Sequence, residues 1–214
     1  MGAAKKSAAV RKVGFFGGSF DPIHIGHINL ALQLLEAHGL DEILFCPTSQ
    51  SPHKSDNPPV AEREHRKAMC TAALAPIPQF TLLDLEIQRS SYSYTIETIR
   101  TLLKMDAENK APAKQYYLIL GEDSLEGLST WKEIDELLVM APPLIGSRGG
   151  YTLPKTMPKS LITAVKKGLT QTLSMEISST LIRERLSKGL YTGHLLPAKV
   201  WEYIQQNQLY VPKK

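Results

Sequence analysis

The stretch GFFGGSFDPIHIGH, residues 14–27, holds four glycines, two histidines three apart, an aspartate and a proline. An apolar run, Val13 to Phe16, enters it and reads as a buried strand. A helical spacing leaves it: Ile25, Ile28, Leu32 and Leu35 fall near one face before the stop at Gly39. Glycines at a strand end uncover backbone N–H groups and let a phosphate approach. An ordinary strand-to-helix turn would use one or two of them, but it has no need of the histidines. On the first turn of a helix His24 and His27 share a face, and the helix N-terminus adds partial positive charge there. Gly17, Gly18, His24 and His27 therefore read as an anion site, with Gly26 leaving room for a flat base against the helix. A zinc pair fits less well, because two histidines on a helix usually bind metal at i, i+4. The glycine spacing matches neither a dehydrogenase-type G-x-G-x-x-G nor a Walker loop.

Outward from this stretch, strands and helices alternate. EILFCP (42–47) reads as a second buried strand, followed by the polar, proline-punctuated loop TSQSPHKSDNPPV and a helix over 61–74. FTLLDLEI (80–87) reads as a strand, TIETIRTLLKM (95–105) as a helix and QYYLILG (115–121) as a strand. Residues 131–140 read as a helix, PPLIGSR (142–148) as a strand, 149–159 as a loop and QTLSM (171–175) as a short strand. Helices over 179–187 and 197–206 close the chain. Such alternation predicts an α/β fold: one doubly wound, Rossmann-like parallel sheet in a single domain with C-terminal helices. Its ligand site is expected at the carboxyl ends of the strands, near the switch point. Residues 1–12 are expected to be a flexible tail and 13–210 the domain.

Composition narrows the function. The 214 residues carry 25 basic and 21 acidic side chains, a formal charge of +4. Bulk-charge coating of nucleic acid is excluded, whereas a local pocket for an anionic small molecule is not. Cys46 and Cys70 lie in apolar segments without C-x-x-C spacing and read as packed free thiols. MGAAKKSAAVRK (1–12) lacks the apolar core of a secretory signal. No apolar run approaches the ~18 residues of a membrane span. A cytoplasmic protein without membrane or nucleic-acid partners is expected.

The motif GGSFDPIHIGH resembles the signature of the nucleotidyltransferase superfamily that carries H-x-G-H at its first strand–helix junction. ISSTLIRERL (177–186) resembles that superfamily's second signature. PHK (52–54), SYSYTIET (91–98), LGEDSLEGLSTWKEIDEL (120–137) and LLPAKVWEYIQQNQLY (195–210) are similar to the bacterial nicotinate-nucleotide adenylyltransferases, so the likeness runs from about residue 13 to 210. Two departures stand out: Ser19 replaces a frequent Thr, and RGG at 148–150 replaces Arg-Pro-Gly.

The resemblance implies catalytic roles for His24, His27 and Arg183. It assigns ATP to Gly17, Gly18, Ser19, Phe20, Gly26, Asp123 (through the ribose), Arg148, Ser178, Ser179 and Thr180. It assigns nicotinate mononucleotide to Lys54, Thr95, Trp131 and Lys132, with Trp131 stacking near the pyridine ring and neighbouring backbone amides taking the ring carboxylate. Mg²⁺ would arrive with ATP, and no residue is assigned to a resident metal. Ser178 and Ser179 would also serve simply as helix N-caps, Trp131 as core and Lys54 as a solvated loop residue. Two rivals remain: a superfamily member with another acceptor, and a non-catalytic nucleotide-binding regulator. Assembly into a homo-oligomer is left open.

Overall fold

The computed structural model describes residues 10–50, 58–147, 153, 157–173 and 175–211. In chain order the elements are β1 (Arg11–Gly18), α1 (Ile25–His38), β2 (Glu42–Pro47), α2 (Arg63–Leu74), β3 (Phe80–Leu82), α3 (Thr95–Glu108), β4 (Lys114–Gly121), α4 (Ile134–Met140), β5 (Pro143–Ser147), α5 (Lys159–Gly168), β6 (Leu169–Gln171), α6 (Ser179–Ser187) and α7 (Ala198–Gln206). Two 3₁₀ turns, Glu122–Leu125 and Leu128–Thr130, lie between β4 and α4.

The six strands form one parallel sheet in the order β3-β2-β1-β4-β5-β6. Alternate residues of each strand serve opposite faces, and both faces are covered. Phe16, Ile43, Phe45 and Ile119 pack with α1, α2, α6 and α7 through Leu34, Met69, Ile182 and Ile204. Val13, Phe15, Leu44, Tyr116, Leu118 and Ile145 pack with α3, α4 and α5 through Ile99, Leu137 and Val165. Burial on both faces explains why the strands read as continuous apolar runs rather than alternating ones. The order in which strands are added across the sheet reverses between β1 and β4, which opens a crevice at their carboxyl ends. The predicted doubly wound sheet is therefore observed. Gly39 closes α1 at φ 57°, a left-handed stop that glycine adopts without strain. Both cysteines are buried and free, and burial pushes the Cys70 thiol up to about 12.

Four boundaries differ from the sequence reading. Only Phe80–Leu82 of the predicted 80–87 strand pairs with β2. The chain then turns, with the Arg89 amide donating to the Glu86 carbonyl at 3.1 Å, so Glu86 and Ile87 are buried by a turn and not by a ladder. Helix α5 has no counterpart in that reading, which carries a loop to 159 and resumes at 171. Its start offers little signal, since Pro158 stands at the N-cap with no side-chain cap bond. Its one legible cue is Leu161 and Val165, four apart and both buried. Strand β6 covers 169–171, not 171–175, and Leu173 is exposed. Finally, α4 begins at Ile134, because Glu133 takes φ 50° and interrupts the helix before Trp131 and Lys132 can join it.

Candidate active site

Two cavities at the carboxyl ends of β1 and β4 share Phe16, Gly17, Gly18, Ser19, Asp123 and Ser124 in their walls. The first, of about 650 Å³, is also lined by Phe20, Asp21, His24, Gly26, His27, Ser178, Ser179, Thr180 and Arg183. The second, of about 300 Å³, is also lined by Thr48, Glu86, Ser93, Thr95, Trp131 and Lys132. The fold thus gathers each of the two predicted residue sets around its own cavity. Lys54 and Arg148 lie outside the described residues.

His24 is the N-cap of α1 and His27 sits one turn on, with the two rings stacked at 3.7 Å between centroids. The His24 amide donates to His27 Nδ1 at 3.2 Å. An accepting Nδ1 puts the ring proton of a neutral His27 on Nε2. His24 is 5% exposed, and burial lowers its pKa to about 4, so it is neutral at neutral pH. A neutral imidazole still offers one N–H donor. Gly26 suits this stack: a Cβ there would press on His24 Nδ1 at 3.0 Å. Its absent side chain makes room for the neighbouring imidazole, and Gly26 also lines the first cavity. Phe20 holds φ 46° with its ring buried edge-on to His27 at 5.1 Å and to Phe16 at 5.4 Å. A left-handed non-glycine residue at a site is strain that the surrounding packing must hold.

Helix α6 reaches the same cavity from the far end of the chain. Ser178 caps it, its hydroxyl accepting from the Leu181 amide at 3.1 Å. The Ser179 hydroxyl donates to the Pro22 carbonyl at 2.9 Å. Arg183 lines the cavity, where Nη1 donates to the Asp21 carbonyl at 2.7 Å and Nη2 to Thr180 Oγ1 at 3.2 Å, with Asp21 Oδ2 3.7 Å away. Its guanidinium is held in place against the loop that carries the histidines.

In the second cavity Thr95 opens α3. Lys132 is 2.6 Å from Glu97 and lies over the Tyr94 ring at 4.6 Å. The Thr130 and Trp131 amides donate to the Gly127 and Leu128 carbonyls at 3.0 and 3.2 Å. These two N–H groups are engaged within the 3₁₀ turn.

Three groups escaped the sequence reading as site builders. Asp21, 2% exposed, accepts from the Val60 and Ala61 amides at 2.7 and 3.1 Å and from the Tyr210 hydroxyl at 2.7 Å. Burial and the Asp21 carboxylate together hold the Tyr210 hydroxyl far above the ordinary phenol range. Nothing local marks a contact across 189 positions. Arg66, also 2% exposed, donates to the Ala61, Ser19, Thr48 and Ser49 carbonyls at 3.2, 2.7, 2.6 and 3.3 Å. It ties the loop after β1 to the loop after β2, with no carboxylate in ion-pair contact with its fork among the described residues. Its signal was present: Arg66, Met69, Cys70 and Ala73 occupy one face of α2.

Comparison with known proteins identifies the family and the fold. Residues 15–185 match the family described as cytidylyltransferase-like. The chain is 37% identical over 201 residues to a "Probable nicotinate-nucleotide adenylyltransferase" of Oceanobacillus iheyensis, covering 94% of this chain and 97% of that one. It is equally 37% identical to the protein of that name from Methylacidiphilum infernorum, over 98% of this chain and 97% of the other. Among solved structures, Plasmodium falciparum nicotinic acid mononucleotide adenylyltransferase complexed with NaAD superposes with a TM-score of 0.73 at 22% identity, over 94% and 97% of the two chains. At that identity the likeness speaks for the fold.

Proposed function

The chain belongs to the cytidylyltransferase-like family, and from that premise we propose that its two adjoining cavities receive ATP and nicotinate mononucleotide. It is an enzyme of NAD biosynthesis, a nicotinate-nucleotide adenylyltransferase, acting from the unit spanning residues 13–210. The carrying observation is the wall of Gly17, Gly18 and Ser19 that both cavities share. Two anions bound on either side of one strand end meet where that strand stops.

In the reaction a phosphate oxygen of the mononucleotide attacks the α-phosphorus of ATP. The bond from that phosphorus to the β-phosphate oxygen breaks, and pyrophosphate leaves with deamido-NAD as the product. The attacking phosphate has a second pKa of about 6 and is largely dianionic at neutral pH, so no general base is needed. The requirement is alignment of two mutually repelling anions and stabilisation of charge on the transferring phosphoryl group. We assign His24 and His27 to that task as N–H donors, His27 through Nε2, and Arg183 as a fixed cation in the same cavity. Gly17, Gly18, Ser19, Phe20, Gly26, Ser178, Ser179 and Thr180 shape the ATP side. Asp123, which lines both cavities, takes a ribose. Thr95, Trp131 and Lys132 line the mononucleotide side, with Trp131 as a stacking surface.

The donor set suits a divalent cation carried by the nucleotide. No three His, Cys, Asp or Glu side chains converge among the described residues, so Mg²⁺ would be held by phosphate oxygens and water. When bound it neutralises charge on the ATP phosphates. Also among the described residues, no helix is long and apolar enough to cross a membrane.

Pyrophosphate release measured with a panel of acceptors tests the reading. Nicotinate mononucleotide should exceed its amide counterpart by about 10- to 1000-fold in kcat/KM, because the amide loses charge-assisted bonds and presents a donor where an acceptor is wanted. Equal values would leave a dual-specificity enzyme. Release only with an unrelated acceptor, or none at all, would overturn the assignment.

A further inference from the structure

The second cavity is lined by three polar side chains with buried atoms, and they differ in how they are satisfied. Glu86, 2% exposed, accepts at Oε1 from the Thr98 hydroxyl at 2.7 Å, and Arg89 donates to that hydroxyl at 3.1 Å. Ser93, 6% exposed, has no hydrogen-bond partner for its Oγ among the described residues, and the same is true of the buried Thr48 Oγ1. Both residues are pinned through the main chain. The Ser93 amide donates to the Gln50 carbonyl at 3.1 Å and the Thr48 amide to the Gly18 carbonyl at 2.9 Å. Arg66 grips the Thr48 carbonyl at 2.6 Å.

A buried hydroxyl without a partner forfeits its bonds to water and gains nothing in return, so such groups are rare in folded proteins and call for an explanation. Two such groups in the lining of one cavity, each able both to donate and to accept, have the chemistry for an oxygen-rich ligand carrying hydroxyls and a carboxylate. We propose that the Thr48 and Ser93 hydroxyls are substrate-binding groups that hydrogen-bond the acceptor mononucleotide and set its affinity. This rests on the acceptor role given above to the second cavity.

The proposal predicts an unusual pairing of effects. Removing an unsatisfied hydroxyl should leave the thermal midpoint unchanged or higher while weakening acceptor binding. Ser93→Ala and Thr48→Val should each raise the acceptor KM about tenfold, the factor that accompanies one lost hydrogen bond. The ATP KM should stay within about twofold, and Thr48→Ser should retain the wild-type acceptor KM. An acceptor KM within about twofold of wild type in both variants would overturn the proposal, as would an equal rise in both KM values. Were the wild type to use a different acceptor, the functional reading would fail separately, and the same KM comparison on that acceptor would still decide the role of the hydroxyls.

Discussion

The two cavities share a wall but differ in how their polar groups are held. Around the first, Arg183 is bound to Asp21 and Thr180, Ser179 to Pro22 and Tyr210 to Asp21, while the buried His24 Nδ1 has no partner among the described residues. In the lining of the second, two buried hydroxyls have no partner among the described residues. The first is preorganised where charge develops during transfer, and such a site needs its donors fixed before the phosphates arrive. The second keeps hydrogen-bonding capacity for recognition, at some cost in stability. Substitutions around the first should therefore alter turnover and folding together, and those in the second should alter affinity alone.

The most severe break should come at Arg66, whose fork reaches carbonyls in the walls of both cavities. Arg66→Met leaves the Ala61, Ser19, Thr48 and Ser49 carbonyls without this donor and should cost about 3–5 kcal/mol by denaturant unfolding, at about 1 kcal/mol or more for each buried acceptor left unpaired. A loss under about 1 kcal/mol would mean that the two loops hold themselves.

Next in size is a pH effect confined to the first cavity. His24 has a folded pKa of about 4 against 6.5 in an unfolded chain. Between those values the unfolded state binds more protons, so stability is fully present above 6.5 and is lost as pH falls toward 4. The amount is up to about 3 kcal/mol. His24→Gln should flatten that part of the stability–pH curve, and an unchanged slope would remove His24 as its cause.

His27→Ala should lower kcat by about 10²-fold, as for removal of one transition-state donor. Near-normal turnover in the folded variant would show that the stack is structural. Arg183→Ala should lower kcat/KM for ATP by about 10- to 100-fold, the worth of a charge-assisted bond. Arg183→Lys should recover little, because one ammonium cannot span both the Asp21 carbonyl and Thr180. Full rescue by Lys would reduce the role to charge.

The smallest effect sharpens the contrast most. Tyr210→Phe deletes one bond to a buried carboxylate and should cost about 1–3 kcal/mol of stability. The ATP KM should rise with it while the acceptor KM stays constant. Equal changes in both would show that the two cavities are mechanically one.

What the chain determines by itself is local. The apolar runs at Val13–Phe16 and Glu42–Pro47, the helical spacing after Ile25 and the glycine–histidine junction between them are short-range patterns. They carry the parallel sheet and mark the strand end that bears the site. Cues weakened by missing caps or turn geometry were read less well: α5 after Pro158, the truncated β3, and Trp131 cut off from α4 by Glu133. Tertiary structure alone decided the rest. It made the stack of His24 and His27 fill the space at Gly26, turned Arg183 onto Asp21, and carried Tyr210 to a carboxylate 189 residues away. Periodicity records which face of an element is buried. It is silent on which polar atoms meet once distant segments close over them, because those pairings follow from packing between elements and leave no repeat in the sequence.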